Sequence, residues 1–254
     1  MSILNCIGID VSADHNILWM VFNNTECLAI DATEPEILDI AKDVEFPEKS
    51  SRMPTIYKKN EIKNMKRTKQ RKLLAVFTTH HHLDHSKGDK QHRTNGIPVY
   101  NHDKIFHENR PSDELFDAKI EVNDFNINIL HTPCHTQDSI CILIDQWLFT
   151  GDTLFYLGCG RFFEGTAEQM SANFSKILSL PSDTICCYGH DYSKKDFLFA
   201  KQFFKDEMLK NYNNSLEEGS ITLTIEQERN FNPFINCKKF GMTLQQMRDA
   251  KNNF

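Results

Sequence analysis

Four metal-ligating side chains, His80, His82, Asp84 and His85, crowd into the run Thr79-His80-His81-His82-Leu83-Asp84-His85 of this 254-residue chain. The run follows an apolar stretch, residues 73–78, that reads as a strand. Side chains alternate along an extended segment, so His80 and His82 are expected to point the same way and grip one cation. Asp84 and His85, past the strand end, can grip a second. Neutral imidazole and carboxylate suit zinc, iron and manganese alike. By the same alternation His81 faces away, beside the ligands rather than among them.

Further ligands are expected downstream on similar loops. His135 stands in Thr132-Pro133-Cys134-His135-Thr136, Asp152 in Thr150-Gly151-Asp152-Thr153, and His190 in Tyr188-Gly189-His190-Asp191. Each follows a short β-like run, at residues 127–130, 147–149 and 184–187. Loops at strand ends combine a rigid support with irregular backbone, which is where sites are commonly built.

This order of ligands resembles the metallo-β-lactamase superfamily and, within it, glyoxalase II, the hydroxyacylglutathione hydrolases. Other segments carry the same resemblance: Gly158-Cys159-Gly160-Arg161-Phe162-Phe163-Glu164-Gly165-Thr166, Gly189-His190-Asp191-Tyr192, Asn232-Pro233-Phe234, and Arg248 with Lys251 near the end. The resemblance implies an α+β fold, a four-layered αβ/βα sandwich over residues 1–190, with a helical substrate-binding region over 191–254. It gives His80, His82 and His135 to a first metal, Asp84, His85 and His190 to a second, and Asp152 to both. Two divalent ions are implied, zinc foremost with iron or manganese as alternatives. Such ions acidify a water for attack on a thioester carbonyl, with Asp152 positioning both ions and Asp84 orienting the water. The implied partner is a small glutathione thioester. Its carboxylates call for cations and hydroxyls, roles that fall to Arg161, Tyr192, Arg248 and Lys251 and to the backbone at Phe162 and Phe163. Phe163 stands where some members have tyrosine, so one hydroxyl contact is missing, and Lys87 replaces a commoner small residue. Cys134 reads as a compact filler.

Composition agrees with a globular enzyme. Hydrophobic residues make up 40% of the chain, enough to fill a core, and a net charge of −6 disfavours general nucleic-acid binding. The eight cysteines lack short paired spacings and read as reduced, buried thiols of a cytoplasmic protein. The N-terminal stretch has neither a basic leader nor a membrane-length apolar run, so no membrane association is expected, and a monomer is.

Strands are expected near 3–9, 17–22 and 27–31, a helix from Pro35 to about Asp43, then helices at 85–93 and 103–109 and a strand at Pro98-Val99-Tyr100. Strands near 120–122, 127–131, 140–144 and 147–150 precede a helix at 167–179. From about 193 Phe197, Ala200, Lys201, Phe204 and Met208 follow helical spacing, with no further strand expected. Residues 44–72, rich in lysine, look like an insertion and are expected to form a solvated excursion away from the ligand loops. The rival readings are a mononuclear-iron sulfur dioxygenase of the same superfamily and a non-catalytic binding protein that uses this basic segment.

Overall fold

Strand after strand in this chain is apolar on both faces, and only a sheet covered on both sides satisfies such strands. The computed structural model describes residues 3–47, 51–108, 111–217 and 219–254. Residues 48–50 of the expected insertion and residue 109, the end of an expected helix, lie outside them. The first half runs β1 (Asn5–Asp10), β2 (Ile17–Phe22), β3 (Glu26–Ile30), α1 (Pro35–Ala41), β4 (Thr55–Lys58), α2 (Lys59–Asn64), β5 (Lys72–Phe77), α3 (Leu83–Ser86), α4 (Asp89–Thr94), β6 (Val99–Tyr100) and α5 (His102–His107). Its strands form one sheet in the order β4-β1-β2-β3-β5-β6. There follow β7 (Ala118–Val122), β8 (Phe125–His131), β9 (Ile140–Ile144), β10 (Trp147–Gly151), the small hairpin β11 (Leu154–Phe155) and β12 (Gly158–Cys159), α6 (Ala167–Leu178) and β13 (Ile185–Tyr188). The tail holds α7 (Ser193–Ala200), α8 (Asp206–Glu217), β14 (Leu223–Thr224), α9 (Ile225–Phe231) and α10 (Leu244–Asn252). The second sheet has the order β14-β13-β10-β9-β8-β7.

Alternation along β2 shows how the layers form. Ile17, Trp19 and Val21 join the cluster between the sheets, while Leu18, Met20 and Phe22 meet Ile37, Leu38 and Ala41 of α1. In β10, Trp147 and Phe149 face inward, and Leu148 faces α6 and the helical tail. The result is the expected four layers, helix on sheet on sheet on helix. Full burial of side chains such as Trp19 and Phe149 stabilises the sandwich by about 1.5–3 kcal/mol each.

Strand direction gathers the loops. β1 runs parallel to β4, β3 to β5 and β10 to β13. The tips of the two sheets are tied together where Ile17 N donates to Gly189 O at 2.9 Å and Trp19 Nε1 to Tyr188 O at 2.8 Å.

The basic segment departs from expectation. Far from being a solvated excursion, its described part supplies edge strand β4 and a buried Ile62 under α1. Arg71 is buried too, donating to the carbonyls of Asn23 (2.8 Å) and Val44 (2.7 Å) and lying over the Phe22 ring. A guanidinium tolerates such burial only with acceptors of this kind. Because β4 runs with β1, Lys58 pairs with Asp10 at the ligand end of the sheet, not away from it. Charge density hid the amphipathic pattern of Ile56, Tyr57 and Ile62. Two smaller differences are the break of residues 85–93 into α3 and α4, and β14, which adds a short strand from the tail to β13.

The tail packs onto the second sheet through one shared apolar cluster. At its centre the fully buried Glu228 carboxylate accepts from Tyr188 Oη (2.6 Å), Leu157 N (3.0 Å) and Asn232 Nδ2 (2.7 Å). Burial pushes this carboxyl up to about 7, against the pull of those donors. The folded state therefore holds the proton more tightly than the unfolded chain, so this stabilisation is present at low pH and lost as pH rises toward 7. Relative to Glu228→Gln, the parent should lose roughly 2 kcal/mol of unfolding free energy between about pH 5 and pH 8, measured by urea titration; parallel pH profiles would refute the linkage. Ile62→Ala should cost about 2–5 kcal/mol, whereas exposed Lys63→Ala should stay within about 0.5. Equal effects would mean that the segment carries no core.

Candidate active site

β5 stops at Phe77, so the first motif is not extended as the alternation argument supposed. Residues 79–82 instead make tight bends that lead into α3, and these bends still turn His80 and His82 together. His80 Nε2 lies 3.2 Å from His82 Nδ1, and His135 Nε2 lies 3.1 Å from the same His82 atom. On the other side, His85 Nε2 and His190 Nε2 are 3.2 Å apart, with Asp84 Oδ2 3.4 Å from the His190 nitrogen. Asp152 stands between the two groups: Oδ2 is 3.4 Å from His135 Nε2 and Oδ1 is 3.3 Å from His85 Nε2. All seven expected ligands thus converge, supplied by the ends of β5, β8, β10 and β13. His81 turns outward as expected, its Nδ1 2.8 Å from Asp138 and its Nε2 3.5 Å from Glu164.

Four of the five clustered imidazoles are held from behind. His135 Nδ1 donates to Arg161 O (2.9 Å) and His190 Nδ1 to Asp14 O (3.0 Å). A carbonyl only accepts, so both rings carry a proton on Nδ1 and turn Nε2 toward the centre. His85 Nδ1 meets the buried Asp31 carboxylate at 2.8 Å, and His80 Nδ1 faces Thr79 Oγ1 at 3.1 Å. Asp31 also accepts from Thr79 N and Thr79 Oγ1, both at 2.8 Å, and holds a left-handed backbone with φ of 50°. Asn16 Nδ2 supports Asp84 through its carbonyl at 2.9 Å and its Oδ2 at 3.3 Å. Two glycines let backbone pass close to the ligands. A Cβ on Gly160 would sit 1.9 Å from Asp152 O, and one on Gly189 would sit 2.7 Å from Asp152 Oδ1.

This donor set fits metal. Asp152 Oδ1 is buried with no hydrogen-bond partner, an expensive state for a carboxylate oxygen unless a cation meets it. Burial pushes the His80 and His135 imidazoles below their ordinary pKa, leaving neutral lone pairs. Hydrogen bonding from His190 holds Asp84 well below the carboxylate range, and around Asp152 the neighbouring His85 outweighs burial to the same effect. At His85 and His190 the neighbouring carboxylates outweigh burial and push both imidazoles up. Imidazole nitrogens beside charged carboxylates are suited to divalent cations.

A cavity of about 350 Å³ opens over the cluster, bordered by Phe163, Arg161, Tyr192 and residues of α7 and α10. Phe163, 60% exposed, packs against the His82 and His135 rings, and Tyr192 stacks on His190 at 4.7 Å. The Phe162 side chain packs against the apolar core of the second sheet instead. Arg248 and Lys251 border the cavity, but both are buried and already engaged. Arg248 Nη1 donates to Cys159 O at 2.6 Å, and Lys251 pairs with buried Asp196 at 2.7 Å. Burial pushes Asp196 up and Lys251 down, so desolvation offsets much of their attraction.

Sequence reasoning missed Asn16, Asp31, Asp196 and Lys195. Asp31 had a usable signal: a polar residue directly after apolar β3, at the sheet edge where the ligand loops emerge. Lys195 had another, three residues after Tyr192 in the helix that follows His190.

Residues 89–190 match the metallo-beta-lactamase superfamily. A probable hydroxyacylglutathione hydrolase of Encephalitozoon cuniculi is 33% identical across 99% of this chain and 98% of its own length. One from Schizosaccharomyces pombe is 40% identical over 72% of each chain, and the Wigglesworthia glossinidia brevipalpis hydroxyacylglutathione hydrolase is 28% identical over 99% of each. Among solved structures, the BLEG-1 B3 metallo-beta-lactamase superposes with a TM-score of 0.59 at 22% identity, covering 91% of this chain and 99% of that one. ETHE1 from Myxococcus xanthus gives 0.59 at 20% identity, covering 99% of this chain and 90% of that one. At such identities the structural likeness establishes the fold alone.

Asp31→Asn tests the support behind His85. Asparagine tolerates the left-handed backbone but loses one acceptor, so competition with a chelator should show divalent-metal affinity lowered about 10–100-fold. Unchanged metal retention would remove Asp31 from the site.

Proposed function

This chain belongs to the hydroxyacylglutathione hydrolases of the metallo-beta-lactamase superfamily, and from that premise we propose that it cleaves S-(2-hydroxyacyl)glutathione, S-D-lactoylglutathione foremost, to glutathione and the free hydroxy acid. It is a thioester hydrolase of methylglyoxal detoxification. One observation carries the reading: the Gly158-to-Thr166 segment and the seven-ligand cluster are one physical unit, joined by the Arg161 carbonyl behind His135 and by Gly160 against Asp152.

In this reading His80, His82 and His135 hold one divalent ion, Asp84, His85 and His190 a second, and Asp152 both, zinc first with iron or manganese as alternatives. Ions bound there would acidify a water and polarise the thioester carbonyl. Asp84, half exposed at the cavity and steadied by Asn16, accepts a hydrogen bond from the attacking water and turns its lone pair toward the acyl carbon. The water oxygen bonds to that carbon as one proton passes to solvent, the C–S bond breaks with its electron pair leaving on sulfur, and the new carboxyl group gives its remaining proton to solvent. A thiol of pKa near ~8.5 leaves readily as thiolate, so no general acid is required. Cys134 is no rival nucleophile, because burial pushes its thiol up to about 12 and its Sγ faces Thr166 O at 3.2 Å.

Arg161, Tyr192 and the Phe162-Phe163 backbone border the glutathione half, while Arg248 and Lys251 shape that wall from within. Residues 1–190 form the catalytic unit and 191–254 the substrate-binding addition. A cytoplasmic setting fits the eight free, buried cysteines. No helix among the described residues is long and apolar enough to cross a membrane.

Metal analysis paired with a thioester assay should find two ions per chain and rapid lactoylglutathione turnover, whereas one iron with oxygen uptake would overturn the reading. Asp152→Ala should cut kcat at least about a hundredfold, or ~2.7 kcal/mol of transition-state stabilisation. Two tightly held ions with parental kcat in that variant would refute the shared-ligand role.

A further inference from the structure

Four cations border the cavity, Arg161, Lys195, Arg248 and Lys251, but their charges are not equally available. Lys251 is neutralised by Asp196 and spends a second donor on Lys195 O at 3.1 Å. Arg248 is buried, stands over the Phe234 ring, and gives Nη1 to Cys159 O and Nε to Asn252. Lys195 is exposed on α7 with its backbone against Lys251, and neither it nor Arg161 makes an ion pair among the described residues. These two therefore hold the cavity's uncommitted positive charge. They stand on different walls: the Arg161 carbonyl holds His135 on the metal side, and Lys195 projects from the helical side.

The substrate assigned above brings two carboxylates to this cavity at neutral pH, and one exposed guanidinium cannot match both if they lie apart. We propose that Lys195 is a specificity-determining residue that binds one glutathione carboxylate, leaving the other to Arg161. This rests on the hydrolase reading. Lys195 contacts the substrate far from the thioester carbon, so its attraction is the same in ground and transition states and is read in KM rather than kcat. Its exposure makes the attraction screenable by salt over about 8–10 Å.

The test measures lactoylglutathione kinetics and, separately, calorimetric binding of glutathione to parent, Lys195→Ala, Lys195→Arg and the neighbouring Lys194→Ala. Lys194 is exposed on the same helix but does not border the cavity, so it controls for net charge. For Lys195→Ala the expected result is a KM and a glutathione Kd raised about tenfold, kcat within about twofold, and a penalty that shrinks with added salt. Lys195→Arg should recover most of the affinity, Lys194→Ala should match the parent, and a thioester without carboxylates should be cleaved equally by all four. A parent that turns over lactoylglutathione while Lys195→Ala keeps parental KM and Kd would overturn the Lys195 assignment alone. Equal weakening by Lys194→Ala would also overturn it, by reducing the effect to net charge. A parent that neither cleaves lactoylglutathione nor binds glutathione would overturn both this inference and the hydrolase reading beneath it.

Discussion

A carboxylate buried between five imidazoles, with one oxygen lacking any hydrogen bond, is the condition around which this molecule is arranged. Asp152 Oδ1 faces the imidazoles of His85 and His190, at 3.3 and 3.6 Å, whose attraction offsets the cost of its burial. The fold places this carboxylate at the end of β10, where it also collects imidazole nitrogens from the ends of β5, β8 and β13. Such a site requires both sheets at once. His80, His82, Asp84 and His85 come from the first sheet, and His135, Asp152 and His190 from the second. The sandwich interface is therefore part of the ligand geometry, and the Trp19 and Ile17 hydrogen bonds to the His190 loop fix one sheet tip against the other.

The helical tail serves the same centre at one remove. Glu228 and Asn232 grip the turn at Leu157 and Gly158, with Asn232 Nδ2 on Gly158 O at 3.0 Å. Arg248 grips the Cys159 carbonyl two residues before Arg161, whose own carbonyl orients His135. A chain of hydrogen bonds thus runs from the last helix through the glycine-rich segment to a ligand. The sequence motifs of the tail lie far from the ligands along the chain, and here they act by holding that segment in place. Lys251, counted with the substrate contacts on resemblance, is as much a partner for Asp196 as for any ligand. That division leaves the uncommitted charge to the exposed side chains of Arg161 and Lys195.

The seven candidate ligands that converge, their order and the apolar strands before them were legible in the residues alone, because ligand chemistry depends on residue type and strand formation on local pattern. Most elements fell within a few residues of their expected bounds for the same reason. The basic segment was misread because lysine density is a composition signal, whereas Ile62 and Arg71 are placed by what packs on them. Packing partners are distant in sequence, and no local pattern names them. Asp31 and Asn16 each act through a residue far along the chain, 54 and 68 positions away, as in Asp31–His85 and Asn16–Asp84. By itself the sequence determined which atoms can bind a cation and which strands must be covered on both faces. Only the tertiary structure decided which nitrogen of each imidazole faces the centre, which carboxylate is left unsatisfied, and which cations remain free, because those depend on partners that only folding brings within hydrogen-bond reach.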